Sequence, residues 1–323
     1  MLALVTGATG FLGSRLARRL AGSGVAVRTM IRRTSSSRRI ADLAVEQVPG
    51  DVTDRSSVRR AMTGADVVYH SAALYELGAR DPELMERTNV QGTANVLEIA
   101  AELGVPAVHV SSVAALGPTG SDPVGEGHWR GDAPRSAYEA TKRRAHVVAR
   151  SLIASGASIR IGLPVTIYGP DDPSLVGRFH ASFAKGWIRI GALGEMLMSL
   201  VHVDDCAEGL VRIAREGAIG SEYILSGQVV TTREWIEALA RAAGRKPPRI
   251  YLPTRILSAI GRPVARLAGD RAPLLREALE MSAGLSWAFS GDRARRELGW
   301  QPRPLEDGLR EVLEWYLQAG LRS

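Results

Sequence analysis

The chain has 323 residues, 45% of them hydrophobic, which allows one large domain or two of ordinary size and excludes a disordered protein. Its single cysteine, Cys206, excludes an internal disulfide and a multi-cysteine metal site and favours a cytoplasmic location, and no apolar run is long enough for a signal peptide or a membrane span. The net charge of +7 comes from arginines interleaved with acidic residues, without the basic, aromatic-rich stripe of a nucleic-acid-binding surface, so we expect neither nucleic acid nor a membrane as partner.

The first 165 residues alternate short apolar segments with helical patterns, which is typical of βα units around a parallel sheet. The predicted strands are residues 2–6, 25–31, 45–48, 66–70, 107–110 and 158–163. The predicted helices are residues 11–21, 56–62, 82–103 and 135–154. This order predicts an α/β fold with a doubly wound parallel sheet of the Rossmann type.

The alternation of strand and helix patterns ends after about residue 166. A Gly/Pro/Asp segment is followed there by helical spacing over 175–185 and by a stretch to residue 200 that is interrupted by glycines. A helix over 202–216 and a short strand over 223–225 follow, and the remaining helices are broken by Pro247, Pro248, Pro253, Pro273 and Pro302. We predict a dinucleotide-binding domain of residues 1–167, to which 199–216 return. A smaller, mainly helical substrate domain comprises 168–198 and 217–323, and ligand should lie over the carboxyl ends of the first domain's strands.

A glycine-rich turn, Thr-Gly-Ala-Thr-Gly-Phe-Leu-Gly, links the first predicted strand to the first predicted helix. Gly7, Gly10 and Gly13 recur at intervals of three residues. Glycines at these positions permit a tight turn, let the backbone approach a pyrophosphate and allow the helix to pack on the strand. The strand–turn–helix context makes the pattern specific for a dinucleotide.

The segment after the second strand carries Arg32, Arg33, Arg38 and Arg39, where an acidic residue would indicate NAD. Since guanidinium groups pair well with phosphate, we favour NADP(H). A solvated basic loop is the alternative, which leaves NAD(H) possible.

A second cofactor contact is expected after the third strand. There Asp51 could accept a hydrogen bond from the adenine amino group, or could cap the next helix; Asp54 is the better candidate for that cap.

Tyr138 and Lys142 lie four residues apart in a predicted helix, so the phenol and the ammonium share one face. A nearby cation should lower the pKa of Tyr138 and make it a usable proton donor or acceptor. The fifth strand runs into Ser111 and Ser112, where a hydroxyl at the cleft could bind the substrate oxygen as charge develops on it.

The chain resembles the extended short-chain dehydrogenase/reductase family, within the NAD-dependent epimerase/dehydratase superfamily. The motifs that carry the resemblance are the glycine turn, Gly50-Asp-Val, His70-Ser-Ala-Ala, Asn89-Val-Gln-Gly-Thr, the Ser112 segment, Tyr138 to Lys142, Pro164-Val-Thr-Ile-Tyr-Gly-Pro and His202-Val-Asp-Asp. The resemblance selects Ser112 over Ser111, because in the family a closing glycine, here Gly117, follows the catalytic serine by five residues.

The resemblance also implies that Lys142 holds the nicotinamide ribose, that Pro164 and Val165 flank the nicotinamide, and that two copies could pair through the helix bearing Tyr138. The implied catalytic set is Ser112, Tyr138 and Lys142. The cofactor-binding set is Gly7, Thr9, Gly10, Phe11, Leu12, Gly13, Arg32, Asp51, Val52, Ala72, Tyr138, Lys142, Pro164 and Val165.

Several reactions occur in that family, and the sequence separates them in part. Ser112 is followed by Val113 and Ala114, not by the Asp-Glu pair typical of sugar dehydratases. Residues 198–201 are Met-Ser-Leu-Val, where nucleotide-sugar epimerases usually carry an arginine and an aromatic residue. This is more similar to the dihydroflavonol-reductase-like branch.

The hypothesis is therefore NADP(H)-dependent reduction of the carbonyl of a small molecule. A nucleotide-sugar epimerase with tightly bound NAD, for which Arg178 and Arg189 could bind phosphates, is one alternative. A non-catalytic dinucleotide sensor is the other.

Other polar and aromatic residues are weaker candidates. The six histidines are scattered without ligand spacing, so no metal site is expected. The segment from His202 to Asp205 is expected to enter a helix capped by an aspartate. Tyr75, Trp129, Tyr168 and Phe179 are candidates for lining the cleft.

Overall fold

The computed structural model describes residues 1–75, 81–252 and 285–320. Its largest feature is a seven-stranded, fully parallel sheet in the order β3-β2-β1-β4-β5-β6-β10. The strands are β1 (Leu2–Thr6), β2 (Ala26–Ile31), β3 (Glu46–Pro49), β4 (Val67–His70), β5 (Ala107–Val110), β6 (Ile159–Pro164) and β10 (Glu222–Leu225). The predicted doubly wound fold is confirmed, and the strand order reverses between β1 and β4, where such folds bind ligands.

Helices lie between these strands, as the alternating pattern predicts. They are α1 (Phe11–Gly22), α2 (Arg55–Met62), α3 (Pro82–Glu86), α4 (Gly92–Leu103), α5 (Ala137–Ala154) and α7 (Val203–Glu216). The strands are buried on both faces beneath them: Leu4, Val68 and Val108 have no exposed surface. Cys206 of α7 is fully buried in the same core.

The single helix predicted over 82–103 is instead three pieces. α3 and α4 flank a π-helical turn, Arg87–Gln91, in which the backbone takes an extra residue per turn. Hydrophobic spacing alone does not reveal such a turn, because the apolar face continues through it. Asn89 lies in the middle of this turn and is buried.

A second, smaller unit packs around its own core. It contains β7 (Thr166–Tyr168), α6 (Leu175–Ala184), β8 (Gly191–Ala192), β9 (Leu197–His202), β11 (Gln228–Thr231), α8 (Thr232–Ala242), β12 (Tyr251–Leu252) and α10 (Leu305–Gly320). Its sheets have the orders β11-β9-β7 and β12-β8. A further helix, α9 (Asp292–Leu298), packs on the larger core through Ala294 and Leu298.

The predicted domain division assigns residues 217–323 to the substrate domain, and the structure departs from it in two places. β10 pairs in parallel with β6 at the edge of the large sheet, and Phe289 and Trp300 belong to the larger core. β10 extends the sheet by one strand through its pairing with β6, and a four-residue strand whose partner lies far back in the chain has no local signal in the sequence. Pro253 and Pro273, used as predicted helix breaks, lie outside the described residues.

Within the ranges that the structure describes, no helix combines the length and apolar character needed to cross a membrane.

Candidate active site at the strand ends

The turn between β1 and α1 leaves no room for side chains at two of its glycines. Gly7 has a φ of +73°, and a Cβ there would lie 2.7 Å from the backbone of Ala72. A Cβ on Gly13 would lie 2.2 Å from the carbonyl oxygen of Gly7. Glycine is required at both positions, so β4, the turn and α1 approach each other closely, as a backbone cradle for a diphosphate demands.

The first turn of α1 supplies the donors of that cradle. The Gly10 N–H donates to the Gly7 carbonyl at 2.9 Å, and no side chain caps the helix. Thr9 and Phe11 are partly exposed, whereas the Leu12 side chain is buried in the core. Leu12 can therefore offer a ligand only its backbone, and the uncapped N–H groups fit an anionic pyrophosphate.

Ser112 and Tyr138 meet at the carboxyl end of β5. Both are partly buried, and the Ser112 hydroxyl beside the phenol opposes a rise in the pKa of Tyr138. Burial is the larger influence and raises that pKa, and Tyr75, whose ring centroid is 4.8 Å away, raises it further. The expectation that Lys142 lowers the pKa of Tyr138 is therefore wrong for this structure.

Lys142 explains the difference. It is 5% exposed, and its Nζ donates to the Val110 carbonyl at 3.0 Å. Burial lowers the pKa of Lys142 to about 8, so the ammonium is itself only weakly stabilised. The two side chains lie on one face of α5, as predicted, but the backbone of β5 is the partner that the lysine contacts.

The neighbouring serine has a structural position. Ser111 is buried, and its hydroxyl hydrogen-bonds Nδ1 of His146 at 3.0 Å. Ser112 is the more exposed of the pair, which agrees with its selection as the substrate-facing hydroxyl. Its Oγ also accepts a bond from the Ala114 N–H at 3.2 Å, closing the turn after β5.

Beneath these residues runs a buried chain of hydrogen bonds that we call the strand-end network, formed by Thr6, His70, Thr93, Asn89 and Thr141. His70 lies between two hydroxyls, with Nδ1 at 2.8 Å from Thr6 Oγ1 and Nε2 at 3.0 Å from Thr93 Oγ1. Burial lowers the pKa of His70 to about 3. The ring is neutral, so it donates to one hydroxyl and accepts from the other.

Asn89 joins this network to the helix that bears Tyr138. Its Oδ1 accepts from the Leu74 N–H at 2.7 Å, and its Nδ2 donates to the Leu74 carbonyl at 3.0 Å and to Thr141 Oγ1 at 3.1 Å. Thr141 in turn donates to the Tyr138 carbonyl at 3.0 Å. Sequence reasoning recognised Asn89 only as part of a motif and assigned it no role; its place in the π-helical turn was the missing signal.

The adenosine end of the site is open and basic. Arg32, Arg33 and Arg38 are exposed, and among the described residues none of their guanidinium groups has a carboxylate partner. Arg39 differs, because its Nε pairs with Asp171 at 2.8 Å and its guanidinium lies over the ring of Phe11 at 5.9 Å. Three of the four arginines thus remain available to a phosphate.

Asp51 does not cap α2. The Asp54 side chain accepts from the Ser56 N–H at 2.9 Å, which confirms Asp54 as the cap. Asp51 Oδ1 instead accepts from the Thr53 N–H and hydroxyl at 2.9 and 2.8 Å. The carboxylate keeps a second oxygen with which an adenine amino group could bond.

The remaining predicted contacts lie at strand ends or just beyond. Val52 is buried, and its carbonyl accepts from Asn95 Nδ2 at 2.8 Å. Pro164 is the last residue of β6, and the Val165 N–H donates to the Leu225 carbonyl at 3.4 Å. The structure therefore places these residues along the carboxyl edge of the large sheet.

The prediction that an aspartate caps α7 is wrong. His202, the last residue of β9, is the N-cap, and its Nδ1 accepts from the Asp204 N–H at 3.3 Å. Asp204 and Glu311 have oxygens near the same ring, but Asp204 pairs with Arg15 and Glu311 pairs with Arg303. Two guanidinium groups at this cluster oppose the binding of a cation.

The four aromatic candidates have different surroundings. Tyr75 contacts Tyr138 and is half exposed, as a residue lining a cleft should be. The prediction that Tyr168 lines the cleft is wrong, because its side chain is 2% exposed and packs beside His202 in the smaller core. Phe179 lies tilted against Trp235 in that same core, with ring centroids 4.7 Å apart. Trp129 lies against Arg143 and Arg150 of α5.

Comparisons with known proteins show which family the chain resembles. The profile of the NAD dependent epimerase/dehydratase family matches residues 3–225. The chain is 31% identical to sterol demethylase protein B of Methylococcus capsulatus, over 99% of this chain and 100% of that protein. It is 30% identical to a 4-hydroxy-2-methyl-3-oxo-4-farnesyl-3,4-dihydroquinoline-1-oxide ketoreductase of Stigmatella aurantiaca, over 94% of this chain and 92% of the relative.

A solved structure is similar over almost the whole chain. The crystal structure of gox2253 is 35% identical and superposes with a TM-score of 0.86, covering 99% of this chain and 98% of that one.

Proposed function

Since this chain belongs to the NAD dependent epimerase/dehydratase family, we propose that it is an NADP(H)-dependent reductase that converts the carbonyl of a small molecule to an alcohol. The family profile and the relatives confirm the resemblance that the sequence motifs indicated. The chain is an oxidoreductase-type enzyme of the extended short-chain dehydrogenase/reductase kind. The observation that carries the proposal is the meeting of Ser112 and Tyr138 at the end of β5, with Lys142 behind them.

The glycine turn, with Gly7, Gly10 and Gly13, would hold the dinucleotide, which would supply a hydride for the carbonyl carbon when bound. The Ser112 hydroxyl donates a hydrogen bond to the carbonyl oxygen and stabilises the charge that develops there. Tyr138 gives its phenolic proton to the same oxygen, and the buried environment that raises its pKa keeps this proton in place until it is needed. Lys142, held by the Val110 carbonyl, would bind the nicotinamide ribose, as the family resemblance implies.

The preference for NADP(H) rests on Arg32, Arg33 and Arg38. Each is exposed close to the end of β2, where the 2′-phosphate of NADP would lie. The described residues provide these guanidinium groups with no competing carboxylate, so a phosphate would be their first anionic partner.

The relatives suggest the character of the substrate. One is named for sterol demethylation and the other for reduction of a farnesylated quinoline. Both names describe large apolar molecules. We extend this to an apolar carbonyl substrate for the present chain, because residues 198–201 supply no arginine for a substrate phosphate.

Two further expectations from the resemblance are proposals. One is a homodimer formed through α4 and α5, whose large apolar side chains Leu103 and Val147 are 41% and 45% exposed. The other is a cytoplasmic location, with which a single, buried cysteine is compatible.

The test is turnover of NADPH and NADH with a panel of apolar aldehydes and ketones, followed by the near-ultraviolet absorbance of the reduced cofactor. We expect oxidation of NADPH in preference to NADH. Tyr138→Phe should abolish turnover and leave NADPH binding unchanged, because the phenyl ring keeps the packing but has no proton to give.

Adjacent serines provide a matched control. Ser112→Ala should lower kcat by about 100-fold, as loss of an oxyanion donor does. Ser111→Ala should change kcat little, because the Ser111 hydroxyl is hydrogen-bonded to His146 and not directed at the substrate. Equal effects of the two substitutions would contradict the assignment.

Two other outcomes would replace the proposal. Interconversion of nucleotide sugars by protein purified with tightly held NAD would identify an epimerase. Cofactor binding without turnover on any carbonyl or sugar would identify a sensor.

A further inference from the structure

Several stretches of the chain hold cations and no acidic residue, among them residues 1–41, 140–170, 173–194 and 238–269. Arginines of the first two stretches pair with carboxylates elsewhere in the fold, as Arg18 does with Asp42 and Arg150 with Glu222. Residues 173–194 hold three cations and residues 238–269 hold seven, and together these exceed the +7 net charge of the whole chain. The rest of the chain is therefore net acidic. The interleaving of arginines with acidic residues does not extend to residues 173–194 and 238–269.

The structure brings parts of both stretches together. β8 pairs in parallel with β12, and the Gly191 N–H donates to the Ile250 carbonyl at 2.9 Å. Beside this pair is a cavity of about 360 Å³, lined at one side by Phe183, Ile188 and Arg189. Its other side is residues 245–250, the loop that leads from α8 to β12.

Five cations surround the cavity or its edge. They are exposed, and across the described ranges none forms an ion pair with a carboxylate; they are Lys185, Arg189, Arg245, Lys246 and Arg249. The contrast with the rest of the surface is plain, since arginines on α2, α5 and α9 are paired with glutamates. Five unpaired cations on one surface repel each other and are stabilised by an external anion.

Large apolar side chains are exposed on the same surface. Trp187 is 69% exposed, Ile190 is 55% exposed and Ile250 is 62% exposed. Ile190 and Ile250 are neighbours across the β8–β12 pair, and Lys185 lies over the Trp187 ring at 5.0 Å. We call this surface the basic face: the five cations together with Trp187, Ile190 and Ile250.

We propose that the basic face docks the protein on the surface of a bilayer that contains anionic phospholipid. Phosphate head groups would pair with the five cations and enter the cavity, while Trp187, Ile190 and Ile250 would insert at the level of the head groups and upper acyl chains. A tryptophan beside basic residues and aliphatic side chains is the composition that favours this interface. This contact requires no membrane-spanning segment, but it departs from the expectation, drawn from the interleaved charges of the sequence, that a membrane is not a partner.

Nucleic acid would be a second polyanion, but the apolar members of the basic face do not suit it. Only one aromatic ring is present among its eight residues, and stacking on successive bases needs several such platforms. Two exposed isoleucines gain nothing from a sugar–phosphate backbone, whereas they are removed from water by an acyl layer.

The experiment measures sedimentation of the full chain with vesicles of phosphatidylcholine alone and of phosphatidylcholine mixed with phosphatidylglycerol. We expect binding only to the mixed vesicles, and its loss at high salt. Lys246→Glu combined with Arg249→Glu should weaken binding by about tenfold or more. Trp187→Ser combined with Ile190→Ser should weaken it at unchanged net charge.

The matched control is Arg60→Glu combined with Arg296→Glu, which changes the net charge equally on exposed positions of α2 and α9. This pair should bind the mixed vesicles like the unaltered protein. Equal weakening by the control pair, equal binding to neutral vesicles, or no vesicle binding at all would overturn the proposal. Binding of a single-stranded oligonucleotide in place of vesicles, lost in the Lys246/Arg249 pair, would identify nucleic acid instead.

The outcome is independent of the reductase assignment, because the vesicle assay uses no carbonyl substrate and none of its variants alters Ser112, Tyr138 or Lys142. A protein that binds vesicles but reduces no carbonyl would retain this proposal and lose the other.

Discussion

The strand-end network and the basic face use polar side chains in opposite ways. In the network, buried groups such as His70 and Asn89 have partners on two sides, at 2.7–3.1 Å. On the basic face, the cations are exposed and lack carboxylate partners among the described residues. A site that moves a proton needs fixed groups, whereas a surface that binds an extended anion needs groups free to adapt.

The contrast between the two regions can be tested first at Lys142. A substitution there should lower catalytic activity but raise the stability of the fold. Lys142→Met should lower kcat/KM for carbonyl reduction by about 100-fold or more, since the nicotinamide ribose loses the ammonium that would position it. The same substitution should raise the free energy of unfolding at neutral pH, because a buried ammonium is replaced by an apolar chain of similar length. Steady-state kinetics and urea unfolding of both proteins measure the two effects.

The difference in the free energy of unfolding between the unaltered protein and Lys142→Met should depend on pH in one direction. Below pH 8 Lys142 is charged in the folded and the unfolded chain, and the folded protein carries the full cost of burying it. Between about 8 and the ordinary lysine value only the unfolded chain keeps the proton, so the stability of the unaltered protein rises with pH by up to about 3 kcal/mol relative to the methionine variant. A difference that is flat over this window would show that Lys142 is not destabilised by burial.

The network itself is tested at Asn89. Asn89→Leu removes three hydrogen bonds and leaves the backbone of Leu74 and the Thr141 hydroxyl without those partners. We expect the free energy of unfolding to fall by about 2 to 4 kcal/mol, measured by urea denaturation. Because Thr141 bonds to the Tyr138 carbonyl, kcat should also fall, with little change in the affinity for NADPH.

Gln91→Leu is the control for that substitution. Gln91 lies in the same π-helical turn and is exposed. The free energy of unfolding of the Gln91→Leu variant should therefore differ from that of the unaltered protein by about 0.5 kcal/mol or less. If Asn89→Leu is as harmless as Gln91→Leu, the network does not position α5.

The smallest effect is expected on the basic face. Lys246→Ala combined with Arg249→Ala should alter the free energy of unfolding by about 0.5 kcal/mol or less, because neither side chain has a described partner to lose. A slight gain is compatible with relief of mutual repulsion. A loss of several kcal/mol, seen as a lower thermal midpoint, would mean that these cations belong to the packing of the second unit.

Local patterns in the sequence predicted the large sheet and most of the candidate site. Strand β1, the glycine turn and α5 depend on residues close together in the chain, and the structure places them within one or two residues of the prediction. Asp54 could likewise be identified as a cap, because its partner is two residues away.

What the sequence did not predict depends on distant partners. Tyr168 is buried because Leu305 and Gly308 of α10 pack on it, more than 130 residues further along the chain. The cap of α7 went to His202 because the end of β9 holds that ring in place. The raised pKa of Tyr138 follows from burial that only the assembled fold creates, against a prediction drawn from Lys142 alone.

Cys206 has a practical consequence for spectroscopy. It has no exposed surface, and burial raises the pKa of its thiol, so maleimide and methanethiosulfonate reagents should not reach it in the folded protein. The unaltered chain is therefore already a background for attaching a single reporter. A thiol introduced by Trp187→Cys would be the one accessible label, and a nitroxide or fluorophore there would report the polarity and depth of its surroundings directly.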